Sequence, residues 1–319
     1  MAKPSDVLCA GIIVADHVCT PVSHLPAPGE LVLTDRILLT IGGCAANVAV
    51  DLARMDVPST VVGRVGGDVM GRVVADMLRE QHVDVSGLRV SPDTDTSQTL
   101  IVNVAGQDRR FIHSTGANDQ FCAADIPLAL VERCRVLYLG GYLLMKGMKQ
   151  DALAAVFATA RRSGARTVLD VVCPGPGKYL EQLDDLLPHV DVFLPNGHEA
   201  ELITGKTDPV AQAELFHRLG AGTAVVTLGG DGAVVVSDRA RLKAGVYPVD
   251  FVDGSGGGDA FDAGYIHGLL TGMDALGCLK FASALGASCV RSVGTTTGVF
   301  NRRDCEDFIR KHPLPVEKL

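Results

Sequence analysis

Residues 252–261 read VDGSGGGDAF, which places a serine and four glycines between two aspartates and directly before a helix-like pattern. Glycine loses more conformational freedom on folding than any other residue, so such a run is unfavourable unless the backbone itself is needed. A glycine-rich turn that enters a helix exposes backbone N–H groups at the positive end of the helix dipole. The stretch therefore predicts an anion site formed by Gly256, Gly257 and Gly258.

Asp259 follows these glycines in the first turn of the predicted helix, where the helix dipole favours a carboxylate. Next to a bound phosphate, this carboxylate could take the proton from a hydroxyl that attacks the phosphorus. Aspartate is also a common N-cap residue, so helix capping is the alternative interpretation.

Short apolar runs alternate with helical patterns along most of the chain. The predicted strands cover residues 7–14, 60–65, 135–139, 167–172, 190–194 and 224–228. The predicted helices cover residues 45–54, 70–82, 151–163, 210–219, 260–270, 275–291 and 303–311. Apolar strands that alternate with helices indicate an α/β fold with a doubly wound, mainly parallel sheet flanked by helices.

Two segments do not follow this alternation. Residues 30–40 and 98–114 have amphipathic strand patterns without a helix between neighbouring strands. We interpret them as a small β lid, from about 16–40 and 95–116, on a single α/β domain of residues 1–319. Plain edge hairpins are the alternative.

Composition narrows the class of protein. The net charge is −8, with 29 basic and 37 acidic residues, so no basic surface is expected for nucleic acid or an anionic membrane. No stretch has the 18 or so apolar residues of a membrane span, and no signal peptide is expected. The nine cysteines contain no CxxC pair, which is typical of reduced thiols in a cytoplasmic protein.

Residues 194–205, LPNGHEAELITG, put Asn196 and Glu199 immediately after a predicted strand. Ligands of open α/β sheets bind beyond the carboxyl ends of the strands. A carboxylate and an amide there suit Mg²⁺, which keeps several of its waters when it binds to proteins. The same two residues would also form a capping box, so helix capping is again the alternative.

Two other phosphate motifs are absent from the sequence. Residues 205–207, GKT, resemble the end of a P-loop, but Ala200 stands where the loop requires glycine. A dinucleotide-binding fingerprint that began at Gly254 would need a glycine where Asp259 stands. Neither a P-loop enzyme nor a nicotinamide enzyme is indicated.

Taken in order, the motifs resemble those of the ribokinase-like (PfkB) carbohydrate kinases over nearly the whole chain. Residues 42–47 (GGCAAN) resemble the family's N-terminal diglycine signature, and residues 63–88 its GxVGxD segment. Residues 195–199 (PNGHE) resemble its Asn-x-x-Glu motif, and residues 253–261 its DTxGAGDxF signature.

This resemblance implies transfer of the γ-phosphate of ATP to a hydroxyl of a sugar or sugar-like substrate, with Asp259 as the general base. It implies that Glu199 binds Mg²⁺ through water. The implied substrate contacts are Asp16, Gly42, Gly43 and Asn47, with Asn103 of the lid as a further candidate. The implied nucleotide contacts are Asn196, Thr227, Gly229 and Gly232.

The sequence also departs from the family pattern. Gly254 replaces the usual threonine, and Gly257 replaces the usual alanine. Loss of the threonine hydroxyl weakens the expectation of a K⁺ site near Asp253. K⁺ is therefore only a candidate cofactor. Cys44 stands in the signature where ribokinases proper read GGKGAN, so ribose does not follow as the substrate.

Several alternatives remain open at this stage. A nucleoside kinase of the same family is the second reading, and a non-catalytic sugar-binding regulator is a third. Two lid arginines could meet a phosphosugar, and the polar and aromatic lid residues do not decide between these substrates: Asn103, Arg109, Arg110, Phe111 and His113. The resemblance also makes a homodimer through the lid a candidate assembly.

Overall fold

The structure is a computed structural model and describes residues 6–107 and 109–319. Its strands are β1 (Val7–Gly11), β2 (Val14–Val22), β3 (Ile37–Gly42), β4 (Ser59–Gly66), β5 (Asp84–Ser91), β6 (Gln98–Val104), β7 (Arg110–Ser114), β8 (Val136–Tyr142), β9 (Arg166–Val171), β10 (Val192–Phe193), β11 (Thr223–Thr227), β12 (Ala233–Ser237), β13 (Arg241–Ala244) and β14 (Val316–Lys318). Its helices are α1 (Cys44–Arg54), α2 (Val69–Glu80), α3 (Leu128–Val131), α4 (Gln150–Arg162), α5 (Gly197–Thr204), α6 (Pro209–Arg218), α7 (Gly257–Leu270), α8 (Ala275–Cys289) and α9 (Arg302–Lys311).

The larger sheet has the strand order β14-β13-β12-β11-β10-β9-β8-β1-β4-β5. Pairing is parallel from β5 to β11 and antiparallel from β11 to β14. The predicted α/β fold with a large, mainly parallel sheet is thus confirmed.

Strand β1 shows why the central strands are apolar throughout. Successive side chains of a strand point to opposite faces of the sheet. Val7 and Cys9 pack with α1 and α7 on one face, whereas Leu8 and Ala10 pack with residues of α4 to α6 on the other. Because both faces are buried, the polar alternation of a half-exposed strand is absent.

A second sheet of four strands, in the order β3-β2-β6-β7, forms the predicted lid. Strand β2 pairs antiparallel with β3 and parallel with β6, and β6 pairs antiparallel with β7. The predicted strand over residues 30–36 is wrong, because β3 begins only at Ile37. The strand predicted over residues 7–14 ends at Gly11, and Val14 already belongs to the lid.

The lid is fastened to the larger sheet at the turn between β1 and β2. The buried side chain of Asn118 accepts a hydrogen bond from Ile13 N at 3.2 Å and donates one to Ile13 O at 3.1 Å. The lid therefore leaves the sheet at the carboxyl end of β1, next to the carboxyl ends of β8 to β11. Among the described residues, no helix is long and apolar enough to cross a bilayer.

Candidate active site

The glycine turn before α7 has a backbone that only glycine fits. Gly256 is the N-cap of α7, with φ of 76°, and a Cβ on it would lie 1.9 Å from the carbonyl oxygen of Thr295. The first N–H groups of a helix have no acceptor within the helix and can bind an anion, although the N–H of Gly257 also donates to Gly254 O at 3.3 Å. The predicted anion turn thus has the required geometry at the start of α7.

Asp259 lies in the first turn of α7 and meets the other glycine motif. Asn47 Nδ2 donates a hydrogen bond to Asp259 Oδ2 at 2.8 Å. Desolvation raises the pKa of Asp259, while hydrogen bonds from Asn47 and Cys44 lower it in part. The structure therefore brings together two predicted site residues that are far apart in the sequence.

The diglycine at 42–43 lets α1 begin close to the lid. A Cβ on Gly42 would lie 2.0 Å from Asp16 Oδ2, and one on Gly43, which has φ of 88°, would lie 2.5 Å from Ile12 O. Neither position has room for a larger residue. The tight approach places Asp16 and the start of α1 on the same side of the site.

Asp16 is a buried carboxyl at the base of the lid. Its exposed fraction is 6%. Burial raises the pKa of Asp16 to about 6, with a hydrogen bond from Thr99 lowering it and the negative charge of Asp259 raising it. The electrostatic interaction with Asp259 shows that Asp16 faces the same site.

Further acidic groups lie at the carboxyl ends of the neighbouring strands. Ligand atoms of Cys44, Asp170 and Asp259 all lie within 4.8 Å of one another. Burial, Glu199 and Asp259 raise the pKa of Asp170 well above its usual range, and burial raises that of Glu199 to about 7. The raised values mark a site with excess negative charge, which a bound cation would relieve.

Asp170 is a site residue that sequence reasoning missed. It lies in β9, next to the end of that strand, and accepts a hydrogen bond from Gly141 N at 3.2 Å. The signal was present, since the predicted strand over residues 167–172 ends at the same sheet edge as the strand before Asn196. Asp262, one turn after Asp259, was missed as well and accepts a hydrogen bond from the Tyr138 hydroxyl at 3.1 Å.

Asn196 and Glu199 form the capping box that was the alternative interpretation. Asn196 Oδ1 accepts from Glu199 N at 2.9 Å, and Glu199 Oε2 accepts from Asn196 N at 3.0 Å. Capping does not account for the whole environment of Glu199, because its charge also raises the pKa of Asp170. The capping box is therefore present, and the binding of Mg²⁺ by Glu199 stays a prediction.

A cavity of about 540 Å³ adjoins the anion turn. Its size is within the range of small-molecule sites. Its walls contain three of the four predicted nucleotide residues, both ends of the glycine turn, a lid arginine and apolar side chains: Thr227, Gly229, Gly232, Gly254, Gly257, Gly258, Arg109, Val246, Val249, Phe261, Ala287 and Val290. Asn196, the fourth predicted nucleotide residue, is not among the residues that line the cavity. The predicted nucleotide loop and the predicted anion turn thus face one space.

The remaining lid candidates are held by other contacts. The Asn103 amide donates to Cys19 O at 2.9 Å within the lid sheet. Arg110 donates to Gln107 Oε1, and His113 Nδ1 lies 3.0 Å from Thr99 Oγ1. These contacts do not bring Asn103 next to Asp259.

A carboxyl group in the first turn of α7, an anion turn and a cavity that shares this turn suit one chemistry, the transfer of a phosphoryl group to a hydroxyl. Such transfer needs little covalent work from the protein and depends on positioning and on charge stabilisation. The site is therefore that of a kinase whose acceptor is an alcohol.

A match of the sequence to a known protein family indicates the same class of enzyme. Residues 4–301 match the profile of the "pfkB family carbohydrate kinase". The chain belongs to this family and is a carbohydrate kinase, a phosphotransferase with an alcohol group as acceptor. The predicted family and enzyme class are thereby confirmed.

Similar proteins match most of the length of the chain. It is 25% identical to a ribokinase of Haemophilus influenzae over 97% of this chain and 99% of the relative. It is 30% identical to an ATP-dependent ribose-1-phosphate kinase of Halopiger xanaduensis over 88% and 90% of the two chains. A putative ribokinase II of E. coli, solved in complex with ATP and Mg²⁺, shares the fold with a TM-score of 0.81 at 23% identity, covering 97% of this chain and all of its own.

Proposed function

We propose that this kinase transfers the γ-phosphate of ATP to a hydroxyl of a sugar or sugar-like substrate, with Asp259 as the general base. Asp259 takes the hydroxyl proton, the hydroxyl oxygen forms the bond to the γ-phosphorus, and ADP leaves. The observation that carries this proposal is the 2.8 Å contact between Asn47 and Asp259, because it joins both glycine motifs at one carboxylate. The contact also argues against a non-catalytic regulator, which would not need a base there.

The acidic residues around Asp259 fit a bound Mg²⁺. Oxygen donors from one or two carboxylates are typical of magnesium sites that keep their waters. Glu199, through water, and Asp170 would hold the ion, because burial raises the pKa of both carboxyl groups and a nearby cation would favour their charged forms. When bound, Mg²⁺ would neutralise charge on the ATP phosphates. Rates with and without K⁺ test the further candidate ion near Asp253.

The sugar is placed on the lid side of Asp259. Two buried hydrogen-bonding side chains lie there, Asp16 and Thr99, and Thr99 donates a hydrogen bond to the Asp16 carboxyl. A nucleoside base would need an apolar or aromatic slot, and the lid aromatic residue Phe111 is instead exposed on β7. These polar groups favour a sugar over the nucleoside alternative.

A phosphosugar is the second candidate substrate, and the relative from Halopiger xanaduensis favours it, since that protein is named a ribose-1-phosphate kinase. The contacts of the lid arginines instead favour an unphosphorylated sugar. Arg109 contacts Asp253 at the nucleotide cavity, and Arg110 contacts Gln107 in the lid. We therefore place an unphosphorylated sugar first.

A screen for ADP release decides between these substrates. Hexoses, pentoses, deoxy-keto acids, sugar phosphates and nucleosides are compared at saturating ATP and Mg²⁺, each with and without K⁺. We expect turnover with an unphosphorylated sugar. Turnover with nucleosides only would establish the alternative, and none with any acceptor would leave a binding protein.

We also propose that two copies associate through the lid. Leu31 and Leu33 lie in the lid segment before β3 with exposed fractions of 84% and 83%, and Ile112 on β7 is exposed as well. Large apolar side chains exposed on the lid indicate a surface that a partner covers. Sedimentation velocity should show a dimer that Leu31→Lys with Leu33→Lys converts to a monomer, whereas a monomeric wild type contradicts the assembly.

A further inference from the structure

Two buried polar side chains of α1, Asn47 and Asp51, lie one helical turn apart on the same face. Asn47 is 2% exposed, and Asp51 is fully buried. Three of their oxygens, Asn47 Oδ1 and both carboxyl oxygens of Asp51, have no hydrogen-bond partner among the described residues. Buried oxygens without a donor are unfavourable and rare in folded proteins. The pair therefore lacks a hydrogen-bond donor that the chain must supply in another way.

The amide of Asn47 has one orientation that suits the site. Its Nδ2 donates to Asp259 Oδ2 at 2.8 Å, and a carboxylate only accepts hydrogen bonds. With the nitrogen committed to Asp259, Asn47 Oδ1 needs a donor of its own. Helical side chains lean toward the N-terminus of their helix, so Asp51 leans toward Asn47. An ionised Asp51 cannot serve Oδ1, whereas a protonated carboxyl group has an O–H that can.

The charged and titratable groups that face Asp51 favour its protonated form. Burial, and then the charge of Asp259 on α7, raise the pKa of Asp51 well above its usual range. Arg54 of α1 lowers this pKa only in part, because its Nη1 donates to two backbone carbonyls of the segment between α8 and α9, at 3.2 Å each. Cys289 on α8 is also within electrostatic range, and its thiol donates to two other backbone carbonyls.

We propose that Asp51 is protonated in the folded enzyme and donates to Asn47 Oδ1, so that it positions the amide that holds the general base. A hydrogen-bond chain then runs from Asp51 through Asn47 to Asp259. An amide free to turn would present its oxygen to Asp259, and the hydrogen bond that lowers the pKa of that carboxyl would be lost. Because Asp51 acts through Asn47, it is a positioning residue. This inference rests on the proposed function, in which Asp259 is the base.

The first test is the acid limb of the pH profile of kcat, which reports the pKa of the base in the enzyme–substrate complex. Asp51→Leu fills the space without a donor, so kcat should fall roughly 3- to 10-fold, the effect of one ordinary hydrogen bond. The acid limb should move to higher pH, because the hydrogen bond to the base is lost. Asp51→Asn can still donate through its amide, so it should keep the wild-type limb and most of kcat.

An ionised Asp51 makes the opposite prediction for this limb. Loss of a neighbouring negative charge lowers the pKa of a carboxyl group, so the limb would move to lower pH in both variants. That result, or an Asp51→Leu protein with the wild-type limb and kcat, would overturn the inference.

Ser59→Ala is the control for damage to α1. The buried Ser59 hydroxyl donates to Ala49 O of this helix at 2.9 Å, so its loss should lower the melting temperature and leave the acid limb in place. A shift of the limb in Ser59→Ala equal to that in Asp51→Leu would show a general effect of a weakened helix, and the positioning role would be wrong.

The second test needs no substrate and holds even if Asp51→Leu does not fold. The infrared carbonyl stretch of a protonated carboxyl group is separate from the bands of a carboxylate. The difference spectrum between wild type and Asp51→Asn at pH 7 should contain the band of a protonated carboxyl group. A carboxylate band in its place would overturn the inference. If the protonated band is present but the wild type phosphorylates no acceptor, the proposed function fails while the protonation of Asp51 stands.

Discussion

The larger sheet and the lid bury their strands to very different degrees. All residues of β1 and β8 in the larger sheet are buried, whereas all residues of β7 in the lid are exposed. Close packing on both faces holds the larger sheet rigid, and elements with few buried apolar contacts open at low free energy. The larger sheet with its flanking helices, here called the main body, therefore fixes the positions of the chemical groups, and we expect the lid to control access to them.

The site residues follow the same division. Asp259, Glu199 and Asp170 belong to helices and strands of the main body, so variants there should change the rate or the metal requirement. Asp16 belongs to β2 of the lid, so its loss should change sugar binding instead. Each of the following variants tests one side of this division.

The largest expected effect is that of Asp259→Asn in the main body. Asparagine keeps the size of the side chain and caps a helix as well as aspartate, so folding should be near normal. Without the base, kcat should fall by roughly 10²–10⁴-fold, with little change in KM for ATP. Steady-state kinetics and a melting curve on one preparation measure both. A variant that keeps more than about a tenth of the wild-type kcat would make Asp259 only a cap.

The next largest effect is that of Asp16→Asn in the lid. It should raise KM for the sugar by roughly 10- to 100-fold, since a hydrogen bond to a charged acceptor is weakened. Because the pKa of Asp16 is raised to about 6, the carboxylate is ionised above that pH and protonated below it. The wild-type KM for the sugar should therefore rise as the pH falls through about 6, and that of the variant should not.

Asp35→Asn is the matched control for this variant, because Asp35 is an exposed aspartate of the same lid. It should leave KM at the wild-type value across the pH range. An equal rise in KM for both variants would show that the lid acts through its overall charge rather than through Asp16.

Glu199→Gln tests the predicted metal role of Glu199 in the main body. Glutamine can still accept the Asn196 N–H in the capping box, so the change isolates the charge. The Mg²⁺ concentration for half-maximal activity should rise several-fold, with sugar affinity nearly unchanged.

Asp208→Ala controls for capping, since Asp208 caps α6 by accepting from Ala211 N at 3.0 Å. It should lower stability by about 1 kcal/mol without altering the Mg²⁺ dependence. If Glu199→Gln likewise lowered stability without altering the Mg²⁺ dependence, the assignment of Glu199 to the metal site would be wrong.

The smallest effect is expected at Asp51, a fully buried residue of α1. Neither of its carboxylate oxygens has a hydrogen-bond partner among the described residues. Burial and the charge of Asp259 raise the pKa of Asp51 well above its usual range. When the pKa of a carboxyl group is higher in the folded than in the unfolded state, the protein loses stability as the pH rises above the unfolded-state pKa.

Asp51→Asn should therefore be more stable than the wild type at pH 8, by about 1–3 kcal/mol, and closer to it at pH 5. Urea unfolding at the two pH values measures the difference. Asp185→Asn, at an exposed position, should show no such pH dependence. A variant with Asp51→Asn that is less stable at pH 8 would mean that the ionised carboxylate has a stabilising partner.

The motifs predicted the main body better than the lid. Each glycine motif implies a helix start, and the contact between Asn47 and Asp259 follows once both helices begin at one sheet edge. Asp170 was missed because a single aspartate in an apolar strand forms no motif, and its only signal was its position near the end of a predicted strand. Whether a polar strand such as β2 joins the larger sheet or a second one depends on pairing between distant segments, here with β6, and local sequence does not encode such pairing.

The start of β3 was also predicted wrongly from the local sequence pattern. Residues 30–36 alternate as a strand would, yet Leu31 and Leu33 point into solvent, so the pattern lacks the buried face that gives it meaning.

The division between main body and lid is tested most directly by one rate measurement. Phosphorylation of an accepted sugar is followed at saturating ATP and Mg²⁺ above pH 7, with sugar raised far above KM, for wild type, Asp16→Asn and Asp259→Asn. Saturating sugar should bring Asp16→Asn back close to the wild-type rate, whereas Asp259→Asn should stay roughly 10²–10⁴-fold slower. Recovery of Asp259→Asn, or failure of Asp16→Asn to recover, would contradict the account.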